Sequence, residues 1–318
     1  MASSSKQIKP IHLKILLGSH DFTMVNDVVE AAKDCNLLFL EFIASKETKD
    51  MYTVFANNVT LTDRYDPDRY IGKVLAESPD AYLRIIWKLR KSDIVVKLVD
   101  KTVQDEKAEN DFSYDAISDE MLEDLVATGD FEKFYQQADQ NVALIAREIR
   151  TRDKIVARQV VEYVNRIQKN DPDSAIRAIL VQGLLHESGP HIKMFLPEAQ
   201  IETIYFNTDL NDLMHNLPSN RLTKSKLDHP ADKILAEDAD RALLLFLDLG
   251  IYVLEHKDHP VDQRTVMTAT NFRKQFTFNF MVKNQKKFDN LTAKQMHALA
   301  VKRIADFKAA LSNYDKNH

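Results

Sequence analysis

The sequence predicts an α/β fold, with a mostly parallel central sheet flanked by helices and a helical C-terminal extension. Three observations carry this reading. The chain opens with an apolar run, a polar turn, an amphipathic segment and a second apolar run, the pattern of strand, turn, helix and strand. Further short runs rich in β-branched residues, each ending at a polar or acidic group, are separated by long stretches of helical periodicity. Beyond about residue 231 only helical patterns recur.

The first strand is His12-Leu13-Lys14-Ile15-Leu16-Leu17, and its exit turn is Gly18-Ser19-His20-Asp21. An amphipathic helix over residues 22–35 leads to a second strand, Leu37 to Phe42, which carries Glu41 near its end. Residues 44–93 read as a mostly helical excursion with a clear helix from Ala81 to Leu89. The third strand, Ile94 to Val99, is closed by Asp100, and the acidic stretch 101–118 reads as a surface loop or lid.

Helical periodicity then runs from Asp119 to Lys169, with Val142, Ile145, Ile149, Val156, Val160, Tyr163 and Ile167 on one face. Arg152 and Asp153 fill a gap in that apolar stripe, and buried charge is costly unless it is paired or functional. Asn170-Asp171-Pro172-Asp173 stops the helix. A strand from Ala175 to Val181 exits through Gly183-Leu184-Leu185-His186, a short helix runs to Leu196, and a strand follows from Ile201 to Phe206. The remaining helices are expected from Ala231 to Leu249 or Glu255, from Val261 to Lys283, and from Thr292 to Ser312, with Thr292 as the last N-cap. The expected division is a disordered tail over 1–11, an α/β core with a helical insertion over 12–228, and a helical region packed on it over 229–318.

Composition excludes several classes. A net charge of −5 offers no basic stripe for nucleic acid. No apolar run is long enough to span a membrane, and no signal peptide is visible, so a cytoplasmic protein is expected, or one exported without a classical signal. The single cysteine, Cys35, reads as an inert core thiol.

Ligands of open α/β sheets bind beyond the carboxyl ends of the strands. His20, Glu41, Asp100 and His186 all fall at or just past such ends, and Arg152 and Asp153 add charge from a helix. Taken singly, each reads as a structural residue; their convergence points to one site. His20 and His186 with Glu41 form a donor set for a divalent metal. The other chemistry open to them is a histidine base oriented by a carboxylate, with Arg152 stabilising negative charge. Asp21, Asp100 and His191 are expected to line the same pocket.

The ordered pieces resemble the superfamily that joins erythromycin esterases, the haem-binding lipoprotein ChaN and the TraB/Tiki proteins. Leu16-Leu17-Gly18-Ser19-His20-Asp21, then a helix and Leu38-Phe39-Leu40-Glu41, is similar to the family's first strand, Gly-and-His turn and Glu-ending strand. Arg152-Asp153-Lys154-Ile155-Val156-Ala157 resembles its helical Arg-Asp signature, and Ile179 to His186 its strand with Gly-x-x-His. The resemblance covers about residues 12–210; its first turn is here one residue shorter and lacks the family's glutamate.

The resemblance implies a hydrolase, metal-assisted in one version, acting on an ester or amide, with His20, Glu41, Arg152, Asp153 and His186 as catalytic residues. Two alternatives stand beside it. One is a non-catalytic protein binding haem or another small ligand. The other is a degenerate fold serving as an interaction module, such as a bacterial effector, with the C-terminal helices facing a protein partner.

Overall fold

The computed structural model describes residues 10–18, 24–42, 81–89, 91–102, 116–205, 218–255 and 283–317. The expected helix at 261–283 and most of the acidic loop at 101–118 lie outside these residues, as do His20 and Asp21.

The described strands are β1 (Ile11–Gly18), β2 (Leu37–Glu41), β3 (Val95–Val99), β4 (Ile176–Gly183) and β5 (Gln200–Tyr205). They form one sheet in the order β3-β2-β4-β1-β5, with every pairing parallel. All five residues of β2 are buried, as expected of a central strand covered on both faces. Asn36 sets the register beside it. Its Nδ2 donates to the Ala175 carbonyl (2.8 Å) and its Oδ1 accepts from Arg177 N (3.0 Å), tying the starts of β2 and β4 together.

Helices cover both faces. Helix α1 (Met24–Ala32) and α2 (Ala81–Leu89) pack on one face against Leu16, Leu38, Leu40, Val96, Leu98, Ile179 and Val181. The opposite face presents Ile11, Leu13, Ile15, Leu17, Leu37, Phe39 and Leu180 to α4 (Phe131–Asn170) and α5 (Ser188–Phe195). The alternation along each strand follows from the two-residue repeat of side-chain direction.

The connections divide by direction. The crossovers from β1 to β2 and from β2 to β3 step toward one edge of the sheet, and α1 and α2 lie on one face. Those from β3 to β4 and from β4 to β5 step toward the other edge, with α4 and α5 on the opposite face. The direction reverses around β4, between β2 and β1. Ligand crevices of open α/β sheets form at such a reversal.

The chain divides into two compact units, Met1–Phe112 with Ile149–Asn211, and Ser113–Glu148 with Asp212–His318. The sequence reading placed a boundary near residue 228; here residues 113–148 belong with the C-terminal helices. Helix α4 contributes to both cores, through Phe134, Ala138 and Val142 in one and Val156, Val160 and Val164 in the other. In the second unit it is joined by α3 (Asp119–Thr128), α6 (Pro218–Asp228), α7 (Ala236–Glu255) and α8 (Ala293–Asn317).

The continuous helix expected from Asp119 to Lys169 is in fact two. Gly129 ends α3 in the left-handed conformation (φ 70°), its N–H donating to the Leu125 carbonyl at 2.8 Å. Asp130 then accepts from Lys133 N (3.0 Å), starting α4. Helical periodicity resumes at once from Phe131, which is why periodicity alone hides the break. Thr292 caps α8 as expected and does so reciprocally with Gln295, each side chain accepting from the other's backbone N–H. Among the described residues no helix is long and apolar enough to cross a membrane.

Candidate functional site

At the exit of β4, Gly183 turns the chain back, and His186 N donates to the Gly183 carbonyl at 3.1 Å. This turn folds His186 down beneath the strand end, where it is 6% exposed. The last residue of β2, Glu41, has the same facing as Phe39 and so points toward α4. From α4, Arg152 and Asp153 reach the same place. All these groups lie within the first compact unit.

They form one connected network. His186 Nδ1 is 2.8 Å from Asp153 Oδ1, and His186 Nε2 is 3.0 Å from Glu41 Oε1. Asp153 uses its other oxygen to accept from Glu187 N (3.0 Å), and Glu41 Oε2 accepts from Gly183 N (3.0 Å). The Arg152 guanidinium donates from Nη2 to Glu41 Oε1 and to Asp100 Oδ2 (2.5 Å), and from Nε to Asp100 Oδ2 (3.0 Å). Among the described residues three carboxylates thus meet two cations in this network, and all five groups are buried, from 0% exposed at Asp100 to 9% at Arg152.

Electrostatics follow from that imbalance. Burial lowers the affinity of His186 for its proton, but the Glu41 charge, the hydrogen bonds to Asp153 and Glu41, and the Asp153 charge outweigh it and push the imidazole up to about 10. His186 is therefore an imidazolium at neutral pH, donating from both ring nitrogens to carboxylates. Burial pushes the Asp100 carboxyl above the ordinary aspartate range, against the pull of Arg152 beside it.

Asp100 shows how the backbone is bent to the network's needs. Strict alternation after Leu98 and Val99 would point Asp100 toward the α1 and α2 face, yet it meets Arg152 on the other side of the sheet. Its φ is 146°, a value non-glycine residues rarely adopt. Gln159 of α4 holds this conformation at both ends, donating from Nε2 to the Asp100 carbonyl (2.9 Å) and accepting at Oε1 from Asp100 N (3.0 Å). The aspartate also accepts from Lys101 N at 2.7 Å.

Of the residues expected at a shared site, Glu41, Asp100, Arg152, Asp153 and His186 meet. His20 and Asp21, expected as base or metal ligand and as pocket residue, lie outside the described residues. His191, in α5, is half-buried and has no hydrogen bond or ion pair with the five. Among the described residues no group of three or more His, Cys, Asp or Glu is arranged to hold a metal ion. Glu41 and His186 are paired directly with each other, and the third expected ligand, His20, lies outside the described residues.

Two contributors escaped the sequence reading. Gln159 carries no signal beyond its position seven residues, about two helical turns, after Arg152. Gln182, beside Gly183, is fully buried; Ser188 donates to its Oε1, and among the described residues its Nε2 has no hydrogen-bond partner. A polar residue following the apolar run Ala178–Val181 of β4 was the available signal for it.

Comparison with family models, with curated proteins and with solved structures finds no match to this chain.

Proposed function

We infer that the chain is a hydrolase-like protein acting on an ester or amide in a crevice at the carboxyl ends of β1, β2 and β4. The observation that carries the reading is convergence. Glu41, Arg152, Asp153 and His186 come from a strand, a helix and a strand-exit turn, and meet where the crossover direction reverses around β4. The order of these groups along the chain, with the Gly18-Ser19-His20 turn before them, is also what resembles the erythromycin esterase, ChaN and TraB/Tiki superfamily.

The geometry narrows the roles. His186 holds a proton on each ring nitrogen and gives both to carboxylates, so it does not serve as general base. We assign that task to His20, two residues beyond β1 in sequence, as β1 is the strand paired with β4. Glu41, Asp100 and Arg152 act as positioning residues that fix the floor of the crevice, with His186 anchored by Asp153.

A second reading has its own observation. Both His186 nitrogens are tied to one oxygen each of Glu41 and Asp153, and the other oxygen of each carboxylate accepts a backbone N–H, as in a purely structural network. In that reading the chain is a degenerate fold used for ligand binding or as an interaction module.

Turnover of short p-nitrophenyl esters and anilides by the purified chain and by His20→Ala separates the two. Turnover lost in His20→Ala with unchanged circular dichroism supports the hydrolase. Absence of turnover, or turnover untouched by the substitution, supports the non-catalytic reading.

A further inference from the structure

An open pocket of about 140 Å³ lies between β3 and α4. Lys97 of β3 and Gln159, Glu162, Tyr163 and Arg166 of α4 line it. Two cations converge there on one ring. Lys97 Nζ is 5.9 Å and the Arg166 guanidinium carbon 5.8 Å from the centre of Tyr163. The ring itself is held edge-on to Phe39 of β2, with centroids 5.9 Å apart.

What these cations do not do is informative. Glu162 precedes Arg166 by four residues, the favoured order for a helical ion pair. Yet neither Arg166 nor Lys97 lies within ion-pair distance of Glu162 or of any other carboxylate among the described residues. With one carboxylate against two cations the lining is net positive, in a chain whose net charge is −5. A concave, partly desolvated wall strengthens attraction for an anion relative to open water.

The geometry points to a binding site for a small organic anion, a phosphate ester or a carboxylate, whose acid group is held by Lys97 and Arg166 beside Tyr163. Arginine's planar fork suits either acid group, and the lysine adds a point charge. Gln159 forms part of the same wall while its amide grips the Asp100 backbone, so occupancy is transmitted to the residue that pairs with Arg152.

The test is a titration of the ¹⁵N-labelled full chain with inorganic phosphate and, separately, with acetate, at constant ionic strength set by chloride. Saturable shifts are expected at the amides of Lys97, Gln159 and Arg166, with a smaller one at Asp100. Saturation by phosphate alone assigns a phosphate ester, and by acetate alone a carboxylate. Lys97→Met with Arg166→Met is expected to weaken binding at least about tenfold, and Glu162→Gln to tighten it about twofold to fivefold. These side chains are exposed or half-buried, so the variants are expected to keep the parent spectrum elsewhere. The site is refuted if neither anion gives a saturable shift, or if the double variant binds as the parent does.

Discussion

Arg152 and Asp153 are neighbours in sequence and serve opposite halves of one charge network: the guanidinium joins Asp100 to Glu41, while the carboxylate anchors His186 at 2.8 Å. The two halves meet at Glu41 Oε1, which accepts from both cations. A one-residue slip of α4 would lose both.

Arg152→Met leaves Glu41 and Asp100 buried beside each other without their shared cation. Removing one partner of a buried ion pair costs about 3–5 kcal/mol. Urea unfolding followed by circular dichroism is expected to show a loss of that size. Arg152→Lys is expected to restore little of it, because a lysine lacks the fork that reaches both carboxylates.

His186 links stability to alkaline pH. Its folded-state pKa, about 10, lies above the ordinary value of 6.5. The stabilisation it contributes is therefore fully present below about pH 6.5 and is lost as pH rises through about 10. Unfolding free energy measured from pH 6 to 10.5 is expected to fall across that window in the parent chain. In His186→Gln the curve is expected to be lower and flatter there.

Gln159→Leu is isosteric enough to keep the packing of α4 but removes both hydrogen bonds to the Asp100 backbone. A backbone group left buried and unpaired costs about 1–3 kcal/mol. The expected signature is a loss in that range by urea unfolding, with faster hydrogen exchange at the Asp100 amide. Unchanged exchange there would show that Gln159 does not hold the unusual φ.

Gly129→Ala tests the break between α3 and α4 in the second unit. The position has open space around it, so the penalty comes from a side chain at φ 70° and not from a clash. A loss of about 1 kcal/mol is expected, with Gly129→Asn closer to the parent. Thermal melts of the two variants decide it.

Much of the first unit was legible because burial leaves a mark in sequence. An acidic residue ending the apolar strand Leu37–Glu41, and a charged pair interrupting the stripe between Ile149 and Val156, are conspicuous against hydrophobic surroundings. The partnership of Arg152 with Asp100 was not legible, since strand alternation sends Asp100 to the wrong face and only its φ of 146° brings it back. Gln159 is an ordinary polar residue of a helix until the backbone it grips is known. The stop at Gly129 was overlooked because helical periodicity resumes directly after it, from Phe131. The assignment of residues 113–148 to the C-terminal unit depends on contacts across long sequence separations, such as Tyr135 OH donating to Asp240 at 2.8 Å, which no local pattern encodes.

His186 is a doubly bonded imidazolium between Glu41 and Asp153, which leaves base chemistry to another group. Long-range ¹H–¹⁵N spectra of ¹⁵N-histidine-labelled protein read this directly, with the His186→Gln spectrum identifying its signal among the ten histidines. The expected result is two protonated ring nitrogens at pH 7.5 that titrate together only near pH 10. A neutral tautomer at pH 7.5, with one unprotonated nitrogen, would contradict the account and return His186 to the role of general base.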